Sequence, residues 1–122
     1  MYQLSVEEHF DAAHFLRGYQ GKCEAMHGHR FRVVVKITAT AVDDIGIGYD
    51  FVTLKEHLKD IIARFDHSCL NEVVPFDKIN PSSENIALTV YNELKPKLAG
   101  EPVSLSCVEV WESPHTGVAY SP

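Results

Sequence analysis

Two stretches of strict alternation dominate the first third of the chain. Tyr2, Leu4, Val6, Phe10, Ala12 and His14 share one side of an extended backbone, with Glu8 as the single break. From His27 onward, His27, His29, Phe31, Val33, Val35, Ile37 and Ala39 share a side, while Arg30, Arg32, Lys36, Thr38 and Thr40 take the other. A period of two predicts strands over 2–15 and about 27–40. Consecutive strands usually pair antiparallel, so the end of the first lies beside the start of the second. The connection from Phe15 to Met26 is longer than the roughly two to five residues of a hairpin loop.

The period then changes. After a turn over 41–49, Asp50 is placed to cap a helix in which Phe51, Leu54, Leu58, Ile61, Ile62 and Phe65 form one apolar stripe. That helix is expected to end near Asp66-His67-Ser68-Cys69. Ser82 or Ser83 can cap a second helix, striped by Ile86, Ala87, Val90, Tyr91, Leu94 and Leu98 and closed by Pro96 and Gly100. Residues 103–112 read as a third strand, 113–117 as a turn and 118–120 as a short fourth strand. The order ββααββ predicts an α+β fold: a four-stranded antiparallel sheet with two helices on one face. Its two open edges favour assembly of several copies.

The chain has 122 residues, a length that suits one domain over 1–122. Its net charge of -6 argues against nucleic acid as a partner. It shows no signal-peptide pattern and no membrane-length apolar run, so no membrane partner is expected. Three cysteines without a Cys-x-x-Cys pair suit a reducing compartment, and a cytoplasmic protein is expected.

The candidate chemistry lies at the junction of the two alternating stretches. Antiparallel pairing brings His14 beside His27 and His29, with all three imidazoles on one face. Three nitrogens at roughly 2.0–2.1 Å can hold a tetrahedral metal, and a three-histidine set with an open fourth position is the pattern of catalytic zinc. Cys23, four residues before His27, sits in the connecting loop. A thiol beside Zn²⁺ loses its proton below its reference value of about 8.5, so Cys23 is a candidate base or nucleophile. The alternative is a fourth, structural ligand. Asp66-His67 at a helix C-terminus is a candidate acid/base pair, or simply a cap. Glu112 near a strand end could accept two N–H bonds from a flat heterocycle. Glu84 in a first helical turn is also explained by the helix dipole. Cys69 and Cys107 read as small core residues. His9, His57 and His115 read as surface.

These motifs together resemble the 6-pyruvoyl-tetrahydropterin synthase and 6-carboxytetrahydropterin synthase family. Phe10-Asp11-Ala12-Ala13-His14 is similar to its first zinc-ligand segment, and Cys23 through His29 to its Cys-x-x-x-His-Gly-His segment. Tyr49-Asp50-Phe51 with Leu54-Lys55 resembles the start of its first helix. Asp66-His67 with Leu70-Asn71, and Asn80-Pro81-Ser82-Ser83-Glu84-Asn85, resemble two further segments, and Glu112 the glutamate that holds the pterin. Asp11 stands where serine is common in the family, and Ser82 and Ser113 where threonine is.

The resemblance implies the tunnelling fold and a homo-oligomer, a hexamer, with active sites at subunit interfaces. It implies Zn²⁺ as cofactor on His14, His27 and His29. It makes Cys23, Asp66 and His67 the catalytic set, the last two supplied by a neighbouring subunit. Glu112 and Glu84 become the substrate-binding pair. The three-residue gap from Cys23 to His27 resembles the carboxy-forming branch, a zinc-dependent lyase of queuosine and other 7-deazapurine biosynthesis. The expected substrate is 7,8-dihydroneopterin triphosphate. Rival readings are the pyruvoyl-forming sister reaction and a non-catalytic zinc-stabilised binding module. A cupin-like metal oxygenase is disfavoured, because residues 30–37 lack the downstream glutamate that pattern wants.

Overall fold

The computed structural model describes residues 1–19 and 25–122. The two alternating stretches form strands β1 (Tyr2–His14) and β2 (His27–Ala39), paired antiparallel in continuous register from Tyr2↔Ala39 to His14↔His27. Helix α1 (Phe51–Ile62) follows, then a two-residue strand β3 (Ser68–Cys69), helix α2 (Ser83–Leu94), and strands β4 (Val103–Trp111) and β5 (Gly117–Tyr120).

The sheet has five strands in the order β3-β1-β2-β4-β5. β3 runs parallel to β1, pairing Ala12↔Ser68 and Ala13↔Cys69, while the other neighbours are antiparallel. The four-stranded antiparallel sheet expected from the sequence is therefore corrected to a mixed five-stranded one. The cause is local. α1 stops at Ile62, and the chain turns back through Phe65 until the His67 amide donates to the Asp11 carbonyl at 2.6 Å. His67 takes a left-handed backbone (φ 57°), which aims the next residues along β1. A two-residue strand carries no periodicity, so nothing in the pattern of side chains announces it.

Both helices are capped as their sequences require. The Asp50 carboxylate accepts the Val52 amide at 2.8 Å, and the Ser82 hydroxyl accepts the Asn85 amide at 3.1 Å. Their buried stripes pack on the face of the sheet that carries Val6, Phe10, Phe31, Val33, Val35, Val108 and Val110. Phe10 stacks on Phe31 with ring centroids 4.8 Å apart, and each such buried ring contributes about 2–3 kcal/mol. Phe51, assigned to the α1 stripe by its spacing, is exposed. Glu8, the break in the alternation, lies 3.7 Å from the Lys59 ammonium of α1.

The other face of the sheet is mostly charged. Lys36 pairs with Glu109 at 2.7 Å, and the Arg32 guanidinium lies over the Trp111 ring. Cys107, half-buried, belongs to this face opposite Lys36, and Cys69 is half-buried at the β3 edge, so neither is the core residue expected. Among the described residues, no helix is long and apolar enough to cross a membrane.

Candidate active site

The register of β1 against β2 decides where the histidines fall. His14 pairs directly with His27, and Ala12 with His29, so all three imidazoles emerge from the face that carries the core. His14 is almost fully buried, with 2% of its surface exposed. Phe31 lies edge-on beneath both His14 and His29 and forms an apolar floor.

The outer nitrogens of two rings are already committed. The Pro81 carbonyl lies 2.7 Å from His14 Nδ1, and the Ala25 carbonyl lies 2.8 Å from His27 Nδ1. A carbonyl only accepts, so each Nδ1 carries the proton and each Nε2 presents a lone pair. Those two Nε2 atoms stand 3.0 Å apart. His29 Nε2 is buried and has no hydrogen-bond partner among the described residues. Three ligand nitrogens thus lie within 4.8 Å of one another, two with lone pairs face to face. Two ligands on a tetrahedral zinc sit roughly 3.3 Å apart, so this donor set fits one divalent cation of the kind imidazoles favour.

Electrostatics suit that role. Burial holds the His14 imidazole below its ordinary value of 6.5, and the neighbouring His27 and His29 push the same way. The Pro81 carbonyl and Glu112 pull against them without prevailing. Burial lowers His29 as well, opposed by Glu112 and aided by His27. Neutral imidazoles are the ligating form.

A cavity of about 240 Å³ opens beside His14, lined also by Ser83, Glu84, Glu112, Thr116 and Val118. The structure therefore brings both predicted glutamates, 84 and 112, to the histidine cluster. Glu112 Oε2 is 3.9 Å from His29 Nε2. The Glu112 amide donates to the Thr116 carbonyl at 3.2 Å, which closes the β4–β5 turn beneath the cavity. Ser83 and Thr116 line it without any prior signal in the sequence.

Asp66 and His67 are brought together but elsewhere. His67 Nδ1 is 3.0 Å from Asp66 Oδ2, and the Asp11 amide donates to Asp66 Oδ1 at 2.9 Å. That amide hydrogen bond holds the Asp66 carboxyl below its usual range, against partial desolvation, with the His67 contact adding to it. The His67 side chain is 79% exposed at the β1 edge. The pair lies just beyond Ile62, the end of α1: the Asp66 amide donates to the Ile62 carbonyl at 3.3 Å, and β1 holds its carboxylate. Cys23 lies outside the described residues.

The model of the family described as 6-pyruvoyl tetrahydropterin synthase matches residues 3–122. The chain belongs to that family. A relative from Rickettsia felis, described as 6-carboxy-5,6,7,8-tetrahydropterin synthase, is 33% identical, covering 87% of this chain and 90% of its own. One of the same description from Synechocystis is 34% identical, covering 98% and 93%. Among solved structures, the Caenorhabditis elegans 6-pyruvoyl tetrahydropterin synthase superposes with a TM-score of 0.86 at 27% identity, covering 99% of this chain and 95% of that one. Family membership makes this a candidate pterin enzyme, and its histidine cluster is compatible with metal binding.

Proposed function

We propose that this protein is a zinc-dependent 6-carboxy-5,6,7,8-tetrahydropterin synthase. It would convert 7,8-dihydroneopterin triphosphate and water to 6-carboxytetrahydropterin, acetaldehyde and triphosphate. The observation that carries the reading is the convergence of three imidazoles, one nitrogen of each within 4.8 Å of the others, beside a cavity that also holds Glu84 and Glu112. The curated relatives at 33% and 34% identity support the carboxy-forming reaction over its pyruvoyl-forming sister.

In this reading His14, His27 and His29 hold the metal. Bound zinc supplies Lewis-acid stabilisation of negative charge developing on the substrate's side-chain oxygens. Glu112 accepts N–H bonds from the pterin ring, with Glu84 across the cavity completing its orientation. Cys23, as thiolate, removes a carbon-bound proton, and His67, oriented by Asp66, returns protons. In this reading a neighbouring copy of the chain supplies the pair to this cavity, and the working site lies between subunits.

Arg17, Lys22, Arg30 and Arg32 are candidate triphosphate contacts, with solvated surface charge as the other reading of each. Arg17 is exposed, and part of its guanidinium is already committed. Its guanidinium donates to the carbonyls of Asn71, Phe76 and Ile79 at 3.3, 2.9 and 3.3 Å.

Incubating the zinc-loaded protein with 7,8-dihydroneopterin triphosphate and resolving the products by chromatography tests the proposal. Acetaldehyde with a carboxylated pterin is expected. A pyruvoyl pterin alone, or no turnover, overturns it.

A further inference from the structure

We propose that Asn71 and Asn80 are positioning residues for the metal centre: their carboxamides clamp the chain leaving β1 and so aim the Pro81 carbonyl at His14 Nδ1. This rests on the metal reading of the histidine cluster.

Past His14, β1 has left the sheet, and its backbone groups need partners that the sheet no longer supplies. Phe15 and Arg17, the latter at the turn with Gly18, each find a side-chain amide instead. Asn71 Oδ1 accepts the Phe15 amide at 3.0 Å, and Asn71 Nδ2 donates to the Phe15 carbonyl at 3.0 Å. Asn80 Oδ1 accepts the Arg17 amide at 2.8 Å, and Asn80 Nδ2 donates to the Arg17 carbonyl at 2.9 Å. Two side-chain amides thus stand in for the ladder of a missing neighbour strand. Each uses donor and acceptor together, which neither a carboxylate nor a hydroxyl of similar size reproduces.

Asn80 is joined directly to Pro81, whose carbonyl receives the His14 Nδ1–H at 2.7 Å. The other side of Pro81 is equally fixed, since Ser82 caps α2. The Asn80 carbonyl accepts Asn85 Nδ2 at 2.9 Å, which ties the clamp to the first turn of the helix. Proline removes one backbone freedom at the remaining position. Pro81 and Asn71 are buried, whereas the Asn80–Arg17 hydrogen bonds lie at the surface. The result is a rigid acceptor that selects the His14 tautomer with its Nε2 lone pair facing His27 and His29. Partners of a ligating imidazole's second nitrogen tune the metal in this way.

Two measurements on the full chain test the clamp. After removal of metal, Zn²⁺ is titrated back against a chromogenic chelator, and the His14 ring nitrogens are followed by ¹⁵N NMR. The unaltered chain is expected to hold His14 as the Nδ1–H tautomer. Asn80→Asp keeps the acceptor, loses the donor and adds a negative charge that by itself works against the expected loss of cation binding. It is expected to weaken Zn²⁺ binding on the order of 10- to 100-fold and to mix the His14 tautomers. Asn71→Asp, one step further from Pro81, is expected to shift both readouts in the same direction by less. Leu98→Ala, a core truncation remote from the cluster, is expected to lower stability and leave both readouts unchanged.

Zinc binding by Asn80→Asp within about twofold of the parent, with the tautomer unchanged, overturns the proposal. An Nε2–H tautomer in the unaltered metal-free chain overturns it even where neither asparagine variant folds. An unaltered chain that binds no Zn²⁺ sinks the metal reading instead, and the tautomer arm still judges the clamp.

Discussion

His14 and His27 face each other across the β1–β2 pair with their Nε2 atoms 3.0 Å apart, while the Nδ1 of each is spent on a backbone carbonyl. Two lone pairs at that separation repel unless a positive charge lies between them. The arrangement is costly for the metal-free chain, and it explains why burial, registry and second-nitrogen partners must all cooperate to maintain it. His29 Nε2, without a partner among the described residues, completes the set.

The pH dependence follows from burial. His14 and His29 have folded-state values below 6.5, so the unfolded chain takes up protons first as pH falls. Their contribution to stability is fully present above about 6.5 and is lost as pH drops toward their folded values. The melting temperature of the metal-free chain is expected to fall between pH 7 and pH 5, and His14→Asn is expected to flatten that arm. A flat parent profile contradicts the burial argument.

Cys23 has two readings that one substitution separates. If its thiolate is the base, Cys23→Ala loses about 10²–10⁴-fold in kcat and keeps its zinc content. If it is a fourth structural ligand, metal and stability are lost together. Metal analysis beside steady-state kinetics distinguishes them, and retained turnover contradicts both.

Gly117 is a packing constraint on the glutamate turn. A Cβ there would lie 2.3 Å from Cδ2 of the Trp111 ring, which covers it. Gly117→Ala is expected to displace that ring, cost about 1–3 kcal/mol and raise KM through Glu112. Trp111 is the only tryptophan, so its emission reports the displacement directly. Unchanged emission and KM would show that the turn tolerates a side chain.

Glu112 is expected to act on binding more than on stability. Glu112→Gln keeps the volume but replaces an oxygen acceptor with a donor toward the ring. KM for the pterin should rise on the order of tenfold or more, while the melting temperature stays near the parent value. Calorimetric titration with a pterin analogue provides the check, and unchanged affinity removes Glu112 from the proposed site.

Much of this site was legible because alternation alone fixes which face a strand residue occupies. His14, His27 and His29 required only correct phase and antiparallel pairing, and the observed His14↔His27 register supplies both. The helix caps at Asp50 and Ser82 were legible for a similar local reason. β3 was not, because its two residues owe their place to the left-handed His67 and to hydrogen bonds with Asp11. Asn71 and Asn80 stand out only as parts of family segments, with no contact assigned to either. Their bonds, and those of Arg17, run to backbone groups more than fifty residues away in sequence, and no periodicity encodes such contacts.

The most direct measurement is the zinc content of the purified full chain and of His14→Ala, His27→Ala and His29→Ala, read by mass spectrometry of the metal. One zinc per chain is expected in the parent, and a loss of most of it in each variant that still folds. A parent without metal, or variants that keep it, would contradict the claim that these three imidazoles form the centre of the site.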